Sequence, residues 1–331
     1  MQQITIAENE AGQRLDKLLA KYMDKAPKSF LYKMLRKKNI TLNNKKATGN
    51  ERLKSQDVVK LFLSDETIAG FSGPGICLTE EKLDIIYEDK NILLINKPAG
   101  MLSQKAAPSD VSVVEHLITY LVKSGQLCGQ DLKTFKPSVC NRLDRNTSGL
   151  IAAGKSLDGL RELSRCFKER RLEKYYLCLT AGQVKKPAHI RGFLAKDPGA
   201  NKVHITEDGT DKSSFIETKY RPLYARGDAT LLEVQLLTGK PHQIRAHLAS
   251  HGHPIIGDYK YGERELNDMY KAAYGLKHQL LHAYRIVFPV SEGILSGLSG
   301  KEFCAEPPFI FQKIAEDKGV WKNGNMEFKG P

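Results

Sequence analysis

Apolar residues recur at two spacings along the chain, and the spacing changes from segment to segment. Residues 12–19 run Gly-Gln-Arg-Leu-Asp-Lys-Leu-Leu, which opens a helix with Leu15, Leu18 and Leu19 on one face. A second helix follows Pro27, with Ser29 as its cap and Phe30, Leu31, Met34 and Leu35 as its buried face. Lys33, Arg36, Lys37 and Lys38 fall on the opposite face. Residues 40–42 and 58–63 alternate or run apolar as strands, the first leading into an Asn43-Asn44 turn. Together these predict a small α/β domain over 1–63. Gly70, Gly73, Pro74 and Gly75 stand in a short polar stretch, so 64–82 reads as a linker.

A larger domain is predicted over 83–315. It opens with apolar strands at 83–87 and 91–96 around a four-residue turn. The pattern then predicts a helix over Val113–Lys123, an apolar strand at 150–153 and a helix at 157–170. Further strands are predicted at 175–180, 215–220, 230–236 and 285–288. Strands and helices mix without strict βα alternation, which predicts an α+β fold with a mainly antiparallel sheet. The residues from 316 to 331 read as a polar, loosely held tail.

Charge adds a partner to this picture. The 331 residues carry a net charge of +13, with a pI near 9.3. Residues 1–63 hold 14 Lys and Arg against 6 Asp and Glu. Such a balance points to a polyanion, and nucleic acid before membrane. No run of eighteen apolar residues exists to span a bilayer. The start of the chain lacks the basic and apolar regions of a secretion signal. Six scattered cysteines without a CxxC pair suggest reduced thiols and a cytoplasmic protein.

Two clusters carry the candidate chemistry. Cys140-Asn141-Arg142-Leu143-Asp144-Arg145-Asn146-Thr147-Ser148-Gly149 sets a carboxylate between two arginines, ahead of the apolar run 150–153. About a hundred residues later, Thr238-Gly239-Lys240-Pro241-His242-Gln243-Ile244-Arg245 joins a strand to a helix. A helix start attracts anions, and Arg245 could reach an aspartate or a phosphate. Residues 149–156 also satisfy the phosphate-loop pattern GxxxxGK[ST]. The four residues between the glycines are strand-forming and the preceding ones polar, so no nucleotide-triphosphate site is expected. His242, His247, His251 and His253 have no carboxylate or cysteine among them, and Gly252-His253-Pro254 breaks the helix, so no metal is expected.

At these residues the chain resembles the RluA/RluC-type RNA pseudouridine synthases. The resemblance rests on Asn96-Lys97-Pro98-Ala99-Gly100, Arg142-Leu143-Asp144-Arg145 and Lys174-x-Tyr176-Leu177, which occur in the family's order. It continues through Thr238-Gly239 with His242-Gln243-Ile244-Arg245, Gly257-Asp258 with Tyr261-Gly262, and Gln279-Leu280-Leu281-His282-Ala283. Residues 1–63 resemble the small RNA-binding domain named after ribosomal protein S-four, through Arg14-Leu15-Asp16, the basic second helix and Asp57-Val58.

The resemblance implies isomerisation of uridine to pseudouridine in structured RNA, with large-subunit ribosomal RNA favoured over tRNA, by a monomer needing no cofactor or metal. It implies Asp144 as the essential catalytic residue, Tyr176 stacking near the target base and helping remove its proton, and Arg245 pairing with Asp144. Arg142 would enter the RNA stack where the base leaves. Lys240, His242, Gln243, Arg14, Lys33, Arg36, Lys37 and Lys38 are the further candidates for RNA contact. A flipped uridine would have its glycosidic bond broken, its base turned, and carbon 5 joined to carbon 1′. The carboxylate could attack sugar or base, or draw off a sugar proton.

Asn141 stands where the family usually has histidine, and Lys240-Pro241 where it has Arg-Thr or Arg-Ser. Asn141 motivates one alternative, an inactive RNA-binding or ribosome-assembly factor. A base-removing glycosidase is another, though no second carboxylate stands out for it.

Overall fold

The computed structural model describes residues 1–73, 79, 83–129, 131–197, 199 and 202–321. The N-terminal unit contains strands β1 (Gln2–Thr5), β2 (Ile40–Leu42), β3 (Lys45–Lys46) and β4 (Val58–Leu61), with helices α1 (Leu15–Tyr22), α2 (Lys28–Arg36) and α3 (Asp65–Phe71). Its sheet runs β1-β4-β2-β3, antiparallel throughout. The helices supply Leu15, Leu18, Leu19, Leu31 and Leu35 to a core closed by Ile40, Val59 and Leu61.

Three details differ from the sequence reading. Pro27, not Ser29, precedes the first turn of α2, and Ser29 lies inside the helix. Helix α3 occupies the first part of the expected linker. Ser64 caps it, accepting from the Thr67 N–H, and Ile68 is buried in the N-terminal core. Residues 74–78 and 80–82 of that expected linker lie outside the described residues.

The second unit opens with strands β5 (Ile85–Glu88) and β6 (Ile92–Lys97), then helices α4 (Val113–Lys123) and α5 (Asp131–Thr134). Next come β7 (Ser138–Val139), β8 (Ser148–Gly154), α6 (Leu157–Lys168), β9 (Glu173–Ala181), β10 (Ala188–Lys196), β11 (Val203–Thr206), β12 (Ser213–Arg226) and β13 (Ala229–Leu236). Helices α7 (Gln243–Ser250) and α8 (Arg264–Tyr274), strands β14 (Leu281–Val287) and β15 (Glu302–Cys304), and helix α9 (Phe309–Asp317) complete it. Among the described residues the sheet runs β11-β10-β12-β13-β9-β14-β8-β6-β5, with β7 on β8 and β15 on β14. All these pairings are antiparallel except β14 with β8, giving the expected α+β fold with a mainly antiparallel sheet.

The one parallel pairing bears on the site. It sets Gly149 beside Ala283. Gly149 has φ +113°, and a Cβ there would lie 2.2 Å from the Ala283 carbonyl oxygen, so only glycine fits. This part of the phosphate-loop pattern is therefore a buried strand with a glycine at a close backbone crossing. Lys155, the lysine of that pattern, pairs with Glu88 and donates to the Asp89 carbonyl.

The two units touch through side chains. Asn9 Oδ1 accepts from the Leu157 N–H at 2.9 Å, and the Thr134 hydroxyl donates to Glu10 at 2.7 Å. At the other end, Val320 and Trp321 are buried against α9, so the expected tail packs at least through Trp321. Residues 322–331 lie outside the described residues.

Candidate active site

The sheet order assembles the site over its centre. Asp144 sits in the loop between β7 and β8, Tyr176 lies on β9, and Arg245 lies in the first turn of α7, just after β13. Strands β8, β14, β9 and β13 are consecutive neighbours, and Tyr176 stands opposite Ala283 on one side and Val234 on the other. A cleft of about 520 Å³ opens there, lined by Arg142, Asp144, Tyr176, Lys240, His242 and Arg245 among others. That volume suits a nucleoside.

Arg245 bridges two carboxylates. Its Nη1 donates to Asp144 Oδ2 at 2.9 Å. Its Nε and Nη2 donate to Asp258 Oδ2 at 2.7 Å and Oδ1 at 2.8 Å. Asp258 is 1% exposed and also accepts from the backbone N–H groups of Lys260 and Tyr261. Burial works against the Arg245 charge, but the Asp258 and Asp144 carboxylates outweigh it and raise its pKa. The planar guanidinium is thus fixed by one carboxylate and offered to the other.

His242 forms a second arm. It takes the left-handed conformation at the start of α7, with φ +56°, and its Nε2 lies 3.9 Å from Asp144 Oδ2. Its Nδ1 lies 2.9 Å from the Tyr261 hydroxyl, which itself accepts from the Val203 N–H at 3.0 Å. Burial lowers the His242 pKa, with Asp144 opposing and Arg245 adding to the shift, so the ring is neutral at pH 7. Tyr176 is buried, which raises its pKa, and the Asp144 charge raises it further; its phenol stays protonated.

The Asp144 loop is fixed from beneath by Lys97, which is fully buried. Its ammonium donates to the carbonyls of Pro98, Met101 and Arg145 at 2.8, 2.9 and 3.0 Å. Burial lowers the Lys97 pKa to about 7, with the Asp144 charge opposing. Ser103 and Gln279 pin the same loop at Leu143 and Thr147. Lys97→Met is expected to leave the Pro98 and Met101 carbonyls without a donor, while that of Arg145 keeps the Gly100 N–H, and to lower stability by about 3 kcal/mol. Chemical denaturation of both proteins checks this, and a loss below about 1 kcal/mol would deny Lys97 its role as the clamp.

The other sequence candidates divide by what the fold does with them. Arg142 and Lys240 line the cleft. Lys33, Arg36, Lys37 and Lys38 are exposed on α2 and just beyond its end. Arg14 is partly exposed at the start of α1, its guanidinium paired with Asp16 at 3.0 and 2.8 Å. Gln243 departs from expectation. It is 2% exposed and bonds within the protein, donating to the Glu217 carbonyl and Thr218 and accepting from Thr238 and the Lys240 N–H. It shapes the turn ahead of α7 and has no free group to offer RNA.

Arg145 turns from Asp144 to the Gly100 carbonyl. Asn141 accepts from the Ala152 N–H at 2.8 Å and donates to the Leu150 carbonyl at 3.3 Å, so it ties the loop to β8. His247 engages Thr218 at 3.0 Å, and among the described residues no three His, Cys, Asp or Glu side chains are grouped as metal ligands. Sequence reasoning assigned no role to Lys97, Lys174, Asp258 or Tyr261, although each stood inside a motif it had quoted.

This geometry agrees with comparisons to known proteins. A family model described as RNA pseudouridylate synthase matches residues 91–250. Ribosomal large subunit pseudouridine synthase C of Vibrio cholerae is 31% identical over 300 residues, covering 88% of this chain and 90% of that protein. The solved structure of human RNA pseudouridylate synthase domain containing 1 superposes with a TM-score of 0.55, at 24% identity, over 72% of this chain and 87% of that one. Human RNA pseudouridylate synthase domain containing 4 gives 0.56 at 21% identity, over 70% and 91%. The fold is thus that of these synthases. The chain belongs to the RNA pseudouridylate synthase family, and is an isomerase that converts uridine in RNA to pseudouridine.

Proposed function

We propose that this enzyme modifies large-subunit ribosomal RNA in the cytoplasm, as a monomer, with Asp144 as the reactive group. The observation that carries the reading is the Asp144–Arg245–Asp258 array, with Asp144 in a cleft whose other charged lining side chains are cations. The Vibrio cholerae relative, whose printed name specifies the ribosomal large subunit, favours that substrate over tRNA.

In this reading a uridine leaves the RNA stack and enters the cleft, and Arg142 fills the space it vacates. Tyr176, as a neutral phenol, offers the base a flat face and an O–H donor. Asp144, oriented by Arg245, acts on the nucleotide as nucleophile or as base. The basic residues Lys33, Arg36, Lys37 and Lys38 of the N-terminal unit add phosphate contacts that give affinity without sequence readout. That unit is an RNA-binding domain of the S-four type, and it extends past residue 63 to include α3. Asn141 does not favour an inactive protein, since its amide works in the backbone of β8 and no bond joins it to Asp144.

Mapping carbodiimide-reactive pseudouridines in RNA from a deletion strain and its parent tests the reading. One or more sites in large-subunit ribosomal RNA are expected to vanish in the deletion and return with the cloned gene. Loss of sites in tRNA alone would overturn the substrate assignment.

A further inference from the structure

Lys174 is a half-buried cation with no carboxylate beside it among the described residues. It lies on β9 two residues before Tyr176, so both side chains leave the same face of the sheet and both line the cleft. Its ammonium reaches the turn ahead of α7: a Cβ built on Gly239 would stand 3.8 Å from Lys174 Nζ. The residue is half-buried, and among the described residues no carboxylate or carbonyl takes its N–H groups. The charged neighbour that acts on it is a second cation, Arg170, just beyond the end of α6 in the left-handed conformation. Burial first, and Arg170 second, lower the Lys174 pKa. Arg170 lines the same cleft; it is exposed, and among the described residues it has no carboxylate partner.

Half-buried charges are ordinarily paired, because an unpaired one loses water and gains nothing. Lys174, half-buried beside the exposed Arg170 and left without an acceptor among the described residues, makes sense when an anion arrives from outside. Arg142, Lys168 and Lys240 also line the cleft, but they are exposed and keep their water. Arg245 is engaged by Asp144 and Asp258, and Asp144 is the carboxylate among the lining side chains. We infer that Lys174 and Arg170 form a subsite for a backbone phosphate of the RNA, next to the nucleotide that occupies the cleft. This rests on the cleft being where the target uridine is held. An ammonium and a guanidinium on one side of the cleft suit the two free oxygens of a phosphodiester. The contact would fix the ribose relative to Asp144, which a base-stacking tyrosine alone does not do.

Lys174→Met separates this role from a structural one, because methionine keeps the length and removes the charge. Binding to protein-free large-subunit ribosomal RNA is measured by filter retention over a series of KCl concentrations, with melting temperature and steady-state kinetics on the same proteins. The variant is expected to bind about 10-fold more weakly, with the slope of log K against log salt shallower by about 0.7–0.9, the value for one phosphate contact. KM should rise more than kcat falls, and Lys174→Arg should restore binding. The melting temperature should equal or exceed that of the parent, because an uncompensated charge has gone.

An unchanged salt slope overturns the subsite, as does a lower melting temperature with unchanged affinity. Parent protein that binds RNA but forms no pseudouridine would instead refute the proposed function. The comparison of salt slopes would still decide the subsite.

Discussion

Asp144→Asn is expected to abolish turnover while leaving RNA binding intact. The amide has the shape of the carboxylate, and its oxygen can still accept from Arg245 Nη1, which now donates at 2.9 Å. What it loses is the capacity to attack carbon or to take a proton. Loss of a positioned acid–base group costs on the order of 10²- to 10⁴-fold, and loss of the central reactive group belongs at the upper end or beyond. Binding should not weaken, since the change removes a negative charge from a basic cleft that faces a polyanion. Single-turnover pseudouridine formation and filter binding on one RNA give both quantities. Activity within about tenfold of the parent would remove Asp144 from its assigned role.

Arg245→Met is expected to damage both stability and activity. It leaves Asp258, 1% exposed, with only the Lys260 and Tyr261 N–H groups, and leaves Asp144 without its nearest cation. Breaking a buried pair by removing one partner costs roughly 3–5 kcal/mol. Arg245→Lys should recover part of the stability but little activity, because an ammonium cannot present one fork to Asp258 and a third N–H to Asp144. Asp258→Asn should be milder on the fold than Arg245→Met, since it leaves no unpaired buried charge. Denaturation midpoints and kcat for the three variants check the order. An Arg245→Met protein within about 1 kcal/mol of the parent would show that the array does not hold the site together.

The elements that position the site were legible where a single period ran long enough. Helix α4 and strands β8, β9 and β13 follow directly from apolar spacing, and so does α6 to within two residues. Strands β10 and β11 and helix α8 were missed. Strand β10 is rich in charged and polar residues on its outer face, and α8 carries many charges, so neither shows a strong apolar stripe. Helix α3 was read as linker because its seven residues hold a glycine and two acidic side chains. One buried residue, Ile68, ties it to the core, and one residue makes no period.

Within the site, the sequence alone determined which residue types were available: an aspartate flanked by arginines, a tyrosine on an apolar strand, and an arginine near a helix start. Their order along the chain was enough to recognise the family. Tertiary structure decided which charge meets which. Arg145, next to Asp144 in sequence, turns to a carbonyl, while Arg245, a hundred residues away, takes the carboxylate. Gln243, a candidate for RNA contact, is occupied within the protein, whereas Lys174, to which no role was assigned, is left without an acceptor among the described residues. The physical reason is burial. A side chain's partner and its ease of carrying charge depend on what the sheet brings within about 3 Å and how much water remains, and neither quantity is local in sequence. Strand order β13-β9-β14-β8 fixed both around Asp144.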